Sequence, residues 1–120
     1  MGCCNNTIVC SNLTTTDTGV ILLPNRAIKN VTNLSEYRLI CACNIPKASA
    51  NLPVYIQTDL GNIPVLCKYG NTVYANQINT RVNYPILYGN GNENYTLGQF
   101  VIASCSCLNK KSTTTEEAGG

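Results

Sequence analysis

Apolar and polar residues alternate with a period of two along the middle of this chain, and the alternating runs are separated by Gly/Asn pairs. A period of two places every second side chain on one face of an extended strand, and no stretch carries the 3.6-residue stripe of an amphipathic helix. In the run 36–43, Tyr37, Leu39, Cys41 and Cys43 share one face, with Glu36, Arg38 and Ala42 on the other. The runs 26–32, 52–58, 63–69 and 81–88 alternate in the same way. The run 95–108 is apolar on both faces, the pattern of a central strand covered on two sides. Leu60-Gly61-Asn62, Tyr69-Gly70-Asn71 and Gly89-Asn90-Gly91-Asn92 supply residues that tolerate positive φ, so they are read as turns. Pro53, Pro64 and Pro85 each lack a ladder donor and are expected at strand starts, edges or bulges. Together these features predict an all-β fold, an antiparallel β-sandwich of jelly-roll-like form with flexible N- and C-terminal arms.

The ends differ from the middle. Residues 1–19 are rich in Cys and Thr and short of large apolar side chains, and 109–120 are polar and Thr-rich. The expected organisation is an arm over 1–19, a β-sandwich domain over 20–108 and a tail over 109–120. Deletion of 1–19 is then expected to leave a folded monomer that fails to assemble.

Eight cysteines and no histidine narrow the chemistry. Cys41-Ala42-Cys43 and Cys105-Ser106-Cys107 are CxC pairs, and on a strand such residues lie about 6.6 Å apart with parallel Cα–Cβ bonds. That geometry disfavours a bond within either pair, because a disulfide needs its Cβ atoms near 3.8 Å. Three uses stay open: bonds between the two CxC strands, small buried hydrophobes, or a metal held by Cys41, Cys43, Cys105 and Cys107. Zinc knuckles are usually CxxC, which curls around the ion better than a flat CxC. Cys67 lies on an inward face and joins Cys41 and Cys43 as an intra-domain disulfide or thiol cluster. Cys3, Cys4 and Cys10 sit on the polar arm, where exposed thiols suit cross-links to a neighbour; Cys105 and Cys107 are candidate receivers.

An N-terminal Cys-Cys pair plus a further cysteine (Cys3, Cys4 and Cys10), leading into a small Cys-bearing β-domain, resembles the subunits of Bacillus endospore appendages. That resemblance implies a jelly-roll domain stacked into a fibre, with arm cysteines bonded to a receiving cysteine such as Cys105 or Cys107 of the next subunit. The strand sequences do not share the likeness. The Cys4–Cys10 spacing is also shorter than expected for that family.

Catalytic groups are not assembled by the pattern. Without histidine there is no imidazole for a nucleophile triad. Asp17, Glu36, Asp59, Glu93, Glu116 and Glu117 fall in arms, turns or outer faces, which gives no glycosidase-type pair. The Gly89–Asn94 run lacks the Asp-x-Asp spacing of a calcium loop. No cofactor is expected. A net charge of +2 with scattered Lys and Arg offers no phosphate-binding patch, so nucleic acid is not an expected partner. No apolar run reaches the length of a membrane span. Only 12% of residues are charged, and a surface of neutral amides and hydroxyls suits a protein packed against copies of itself. The expected function is a non-enzymatic structural subunit of a fibre or virion-type particle. Its partners would be copies of itself or other structural proteins. It would sit on an extracellular surface or in a virion, released without a classical signal peptide. A phage capsid decoration or tail accessory protein, a thiolate metal module and a glycan-binding domain are the alternative readings.

Overall fold

A computed structural model describes residues 7–29, 31–67, 70–91, 93 and 95–102. Cys3, Cys4, Cys105, Cys107, the tail 109–120 and the end of the run 95–108 lie outside the described residues.

Eight strands form the fold: β1 (Thr7–Cys10), β2 (Asn12–Thr15), β3 (Val20–Leu23), β4 (Glu36–Cys41), β5 (Val54–Thr58), β6 (Gly61–Cys67), β7 (Asn83–Gly89) and β8 (Gln99–Ile102). The helical content of the described residues is two short 3-10 turns, Lys47–Ser49 and Ala75–Gln77. The all-β expectation is met.

The strands make one continuous sheet in the order β1-β4-β7-β8-β6-β5-β3-β2. Its two edge strands, β1 and β2, are consecutive in the chain and separated only by Ser11. The sheet is therefore curled nearly into a barrel, with Ser11 at one corner. β6 forms a second corner: Gly61–Pro64 pair with β5, and Val65–Cys67 pair with β8. Corners of this kind, where one strand passes from one sheet to the next, are how near-orthogonal layers share a core. Pro64 stands at that handover and Pro85 stands one residue before β7 takes up β8, so both lack a neighbour on one side. Pro53 makes an isolated bridge to Tyr74 just before β5 begins. All three prolines occupy the exempt positions expected of them.

The ladders are mixed. β2–β3, β4–β7, β5–β6 and β7–β8 are antiparallel, whereas β1–β4, β3–β5 and β6–β8 are parallel. Inward residues alternate as the period predicts: Leu39 and Cys41 on β4, Val54 and Ile56 on β5, and Tyr84, Ile86 and Tyr88 on β7 are all buried. Phe100 on β8 is fully buried and meets Tyr37 and Tyr88 edge-on, with ring centroids 5.9 and 5.6 Å apart. The Tyr88 hydroxyl donates to the Leu97 carbonyl at 2.7 Å, across Gly98. Gly98 has φ +95, and a Cβ there would lie 2.4 Å from the Gly89 carbonyl oxygen, so glycine is needed at this point.

Two parts of the expected layout are corrected. Residues 7–19 are not an arm, because β1 and β2 are sheet strands and Ile8 and Cys10 are buried. Threonine is a good strand former, and the Thr-rich stretch Leu13-Thr14-Thr15 pairs with β3 through Thr15↔Val20 and Leu13↔Leu22. Deleting 1–19 would thus remove two strands rather than free a monomer. The run 26–32 is not a strand. It belongs to a strap that runs from β1 to the β5–β6 turn: the Asn25 N–H donates to the Val9 carbonyl, and the Asp59 N–H donates to the Ile28 carbonyl. Its backbone bonds go to different elements at its two ends, so no ladder forms, and buried Ile28 plugs the gap.

Asn25 also holds the corner. Its side-chain oxygen accepts from the Ser11 N–H at 3.1 Å, and its amide nitrogen donates to the Ser11 hydroxyl at 2.9 Å. Asn25→Ala removes both bonds at a bend that cannot bond within the ladder. A loss of about 1–2 kcal/mol is expected in urea unfolding, with Asn25→Asp intermediate because it keeps the acceptor but not the donor.

A thiol cluster at the end of the first parallel ladder

β1 and β4 run parallel in the register Ile8↔Leu39 and Cys10↔Cys41. Alternation along both strands turns Ile8, Cys10, Leu39 and Cys41 inward together, so the two cysteines end the ladder side by side, each with 0% of its surface exposed. β4 stops at Cys41. The Ala42 N–H still donates to the Cys10 carbonyl at 2.8 Å, and the Arg81 N–H donates to the Cys41 carbonyl at 2.8 Å. Beyond Ala42 the chain bends, and Cys43 lies in that bend, half-buried. The Cys41 thiol donates to the Cys43 carbonyl at 3.3 Å.

Cys10, Cys41 and Cys43 are free thiols. Burial above all, with the neighbouring Cys41 and Cys43 thiols adding in the same direction, pushes the Cys10 thiol up to about 12. Burial also raises Cys43, to about 11, with the Cys41 thiol beside it as the second cause. These groups are protonated at neutral pH. A thiol is a weak nucleophile and a poor metal ligand until it ionises, so at pH 7 Cys10 and Cys43 are chemically quiet and pack as small hydrophobes do.

The structure redistributes the cysteines foreseen from sequence. Cys10, expected on an exposed arm as a cross-linking thiol, is instead in the core, because its strand alternates and Ile8 and Cys10 face inward. As β1 is built, it is closed to a neighbouring subunit. Cys41 and Cys43 do lie together, with Cys10 of β1 as a third member. The signal for that is a short one: Ile8-Val9-Cys10 is an apolar run, β-branched at Ile8 and Val9, in an otherwise polar stretch. Cys67 is buried at the end of β6, as expected for a core position, and is not among the free thiols; its partner lies outside the described residues. Among the described residues no group of three or more His, Cys, Asp or Glu side chains could hold a metal ion.

Two grooves flank the strap. One, of about 740 Å³, runs beside the outer edge of β1 and is lined by Thr7, Ile8 and Val9 on one side and by residues 25–29 on the other. The second, of about 360 Å³, separates the strap from the β5–β6 turn. Arg26 and Lys29 line the first, while no carboxylate does. In comparisons with protein families, curated proteins and solved structures, no match to this chain was found.

The raised Cys10 value sets a dependence on pH. Between the ordinary value of 9.0 and about 12, the unfolded chain has released this proton and the folded chain has kept it. The contribution is therefore whole below pH 9 and is lost as pH rises, with a slope of up to about 1.4 kcal/mol per pH unit. Urea unfolding under reducing conditions at pH 8, 9 and 10 is expected to show a steeper alkaline loss for the natural chain than for Cys10→Val. Equal slopes would remove Cys10 from the account.

Proposed function

We propose that this chain is a non-enzymatic structural subunit that assembles with copies of itself, or with other structural proteins, in an extracellular fibre or virion-type particle. The observation that carries this reading is the place of β1 at the end of the strand order, where the strap rather than another strand lies beside it. Among the described residues β4 is the one strand paired with β1, and Thr7, Ile8 and Val9 line a groove together with residues 25–29 and Tyr37. Residues Ile8 and Cys10 direct their main chain to β4, as the Ala42-to-Cys10 bond shows, and so Thr7 and Val9 direct theirs outward. An outward main chain beside a groove is the arrangement that strand addition from a second molecule uses.

The cysteines complete the reading. Cys3 and Cys4 precede β1 in the chain and Cys105 and Cys107 follow β8; one of these four is taken by Cys67, and the other three are the candidate inter-subunit cross-links. Cys10 is withdrawn from that role by its burial. Cys67 serves as an internal tie. A disulfide turns a reversible contact into one that is hard to undo, which suits a particle that must persist outside a cell. The low charge of the chain and its lack of histidine support an assembly role over a catalytic one.

The test is electrophoresis with and without reductant, on full-length chain whose thiols were alkylated at harvest, beside negative-stain microscopy. A ladder or filament that collapses to the 12.9 kDa band on reduction is expected. Cys3→Ser/Cys4→Ser and deletion of residues 1–6 should abolish the ladder while leaving a cooperative unfolding transition, since β1 is intact in both. A monomer by light scattering, the same for all three proteins, would overturn the proposal.

A further inference from the structure

The bend after β4 changes what the Cys41-Ala42-Cys43 pair can do. On a continuing strand the two side chains would stay parallel and too far apart to bond. β4 ends at Cys41, however, and the Cys41 thiol already reaches back to the Cys43 carbonyl at 3.3 Å. Cys41 is held by the ladder and by the Arg81 N–H. Cys43 lies beyond both of these and is the one free thiol of the three with surface exposure. We propose that Cys41 and Cys43 are a latent disulfide, in which Cys43 is the entry point for an external low-molecular-weight disulfide and Cys41 is the resolving thiol.

The exchange balances without any further reagent. The Cys43 sulfur, as thiolate, attacks one sulfur of the external disulfide. A Cys43 mixed disulfide forms, and one small thiol leaves and takes up a proton. Cys41 then gives its proton to water and attacks the Cys43 sulfur, which forms the Cys41–Cys43 bond and expels the second small thiol. Two protein thiols are oxidised and one disulfide is reduced to two thiols. Cys10 is a weaker partner for Cys41 although they share a register. Both are locked in the parallel ladder, where directly facing residues are about 4.8 Å apart with side chains parallel, and neither has surface through which an oxidant could enter. The proposal is independent of assembly, because it needs neither a second molecule nor the cysteines at 3, 4, 105 and 107.

Tryptic cleavage after Arg38 and Lys47 leaves Cys41 and Cys43 on one peptide, residues 39–47, and Cys10 on another. The folded, reduced full-length chain is incubated with oxidised glutathione at pH 8.5, quenched by alkylation and digested without reductant. Peptide 39–47 is expected to appear unalkylated and lighter by two hydrogens than the dithiol. In Cys41→Ala the same peptide should instead accumulate glutathione on Cys43, and in Cys43→Ser it should remain free of glutathione until the protein is unfolded. A stable glutathione adduct on the natural chain would overturn the proposal. So would a cross-link between 39–47 and the Cys10 peptide, or a peptide that stays fully alkylated. The failure of this reaction would leave the gel assay of assembly untouched, and the reverse also holds.

Discussion

A single residue holds the two edges of the sheet together. Laid flat, eight strands at the usual spacing of about 4.8 Å would put β1 and β2 about 34 Å apart. Yet Cys10 and Asn12 flank Ser11, and a chain can span at most about 7 Å over two residue steps. The sheet has no choice but to curl until its edges meet. Every other feature of the fold accommodates this demand. The second corner in β6 lets the strands on either side run at different angles, and the Asn25 side chain replaces the ladder bonds that Ser11 loses at the bend. The interior that closure creates is then filled by the inward half of each strand, from Ile8 round to Ile102.

Closure also explains the chemistry of the cysteines. A residue is inward or outward according to its place in a strand, and exempt from that alternation once its strand has ended. Cys10 and Cys41 are inside strands and inward, so they are dry, and burial holds the Cys10 thiol in its protonated form. Cys43 has the same residue type and nearly the same position in sequence, but it falls after β4 and keeps access to solvent. Two cysteines separated by one alanine thus differ in exposure because a ladder stops between them.

β8 falls inside the longer apolar run 95–108, and the strands β4 to β7 were legible in the sequence, with boundaries shifted by a few residues. Their length and alternation outweigh local polarity, and strong Gly/Asn turns punctuate them. The first three strands were not, for a physical reason. Each is four residues long, so it holds only two inward positions, and β2 has polar threonines where a longer strand would show apolar ones. The strap failed in the opposite sense. Its alternation is real and Ile28 is indeed buried, but period two describes an extended chain and does not say whether a neighbour pairs with it. The topology was not legible at all, because nothing in Cys10-Ser11-Asn12 announces that its flanks lie on opposite edges. The thiol cluster was half legible: the CxC motif is plain, whereas its third member comes from a parallel pairing between residues 31 positions apart.

Closure leaves β1 and β2 at the two ends of the strand order, with no further strand beside either among the described residues. The strap covers part of this liability, as natural sheets commonly do. What remains sets a limit on any assembly built on the β1 edge. Four residues offer two outward ones, Thr7 and Val9, and the Val9 carbonyl is already taken by Asn25. At a net gain of about 0.5–1.5 kcal/mol per hydrogen bond, strand addition here supplies only a few kcal/mol. Micromolar association needs about 8 kcal/mol before the cost of ordering the incoming segment is counted. An edge this short can align a neighbour but cannot hold it. Under the structural reading the hold must come from a bond that does not dissociate, and that is the physical reason to look to the cysteines flanking β1 and β8 rather than to the edge alone.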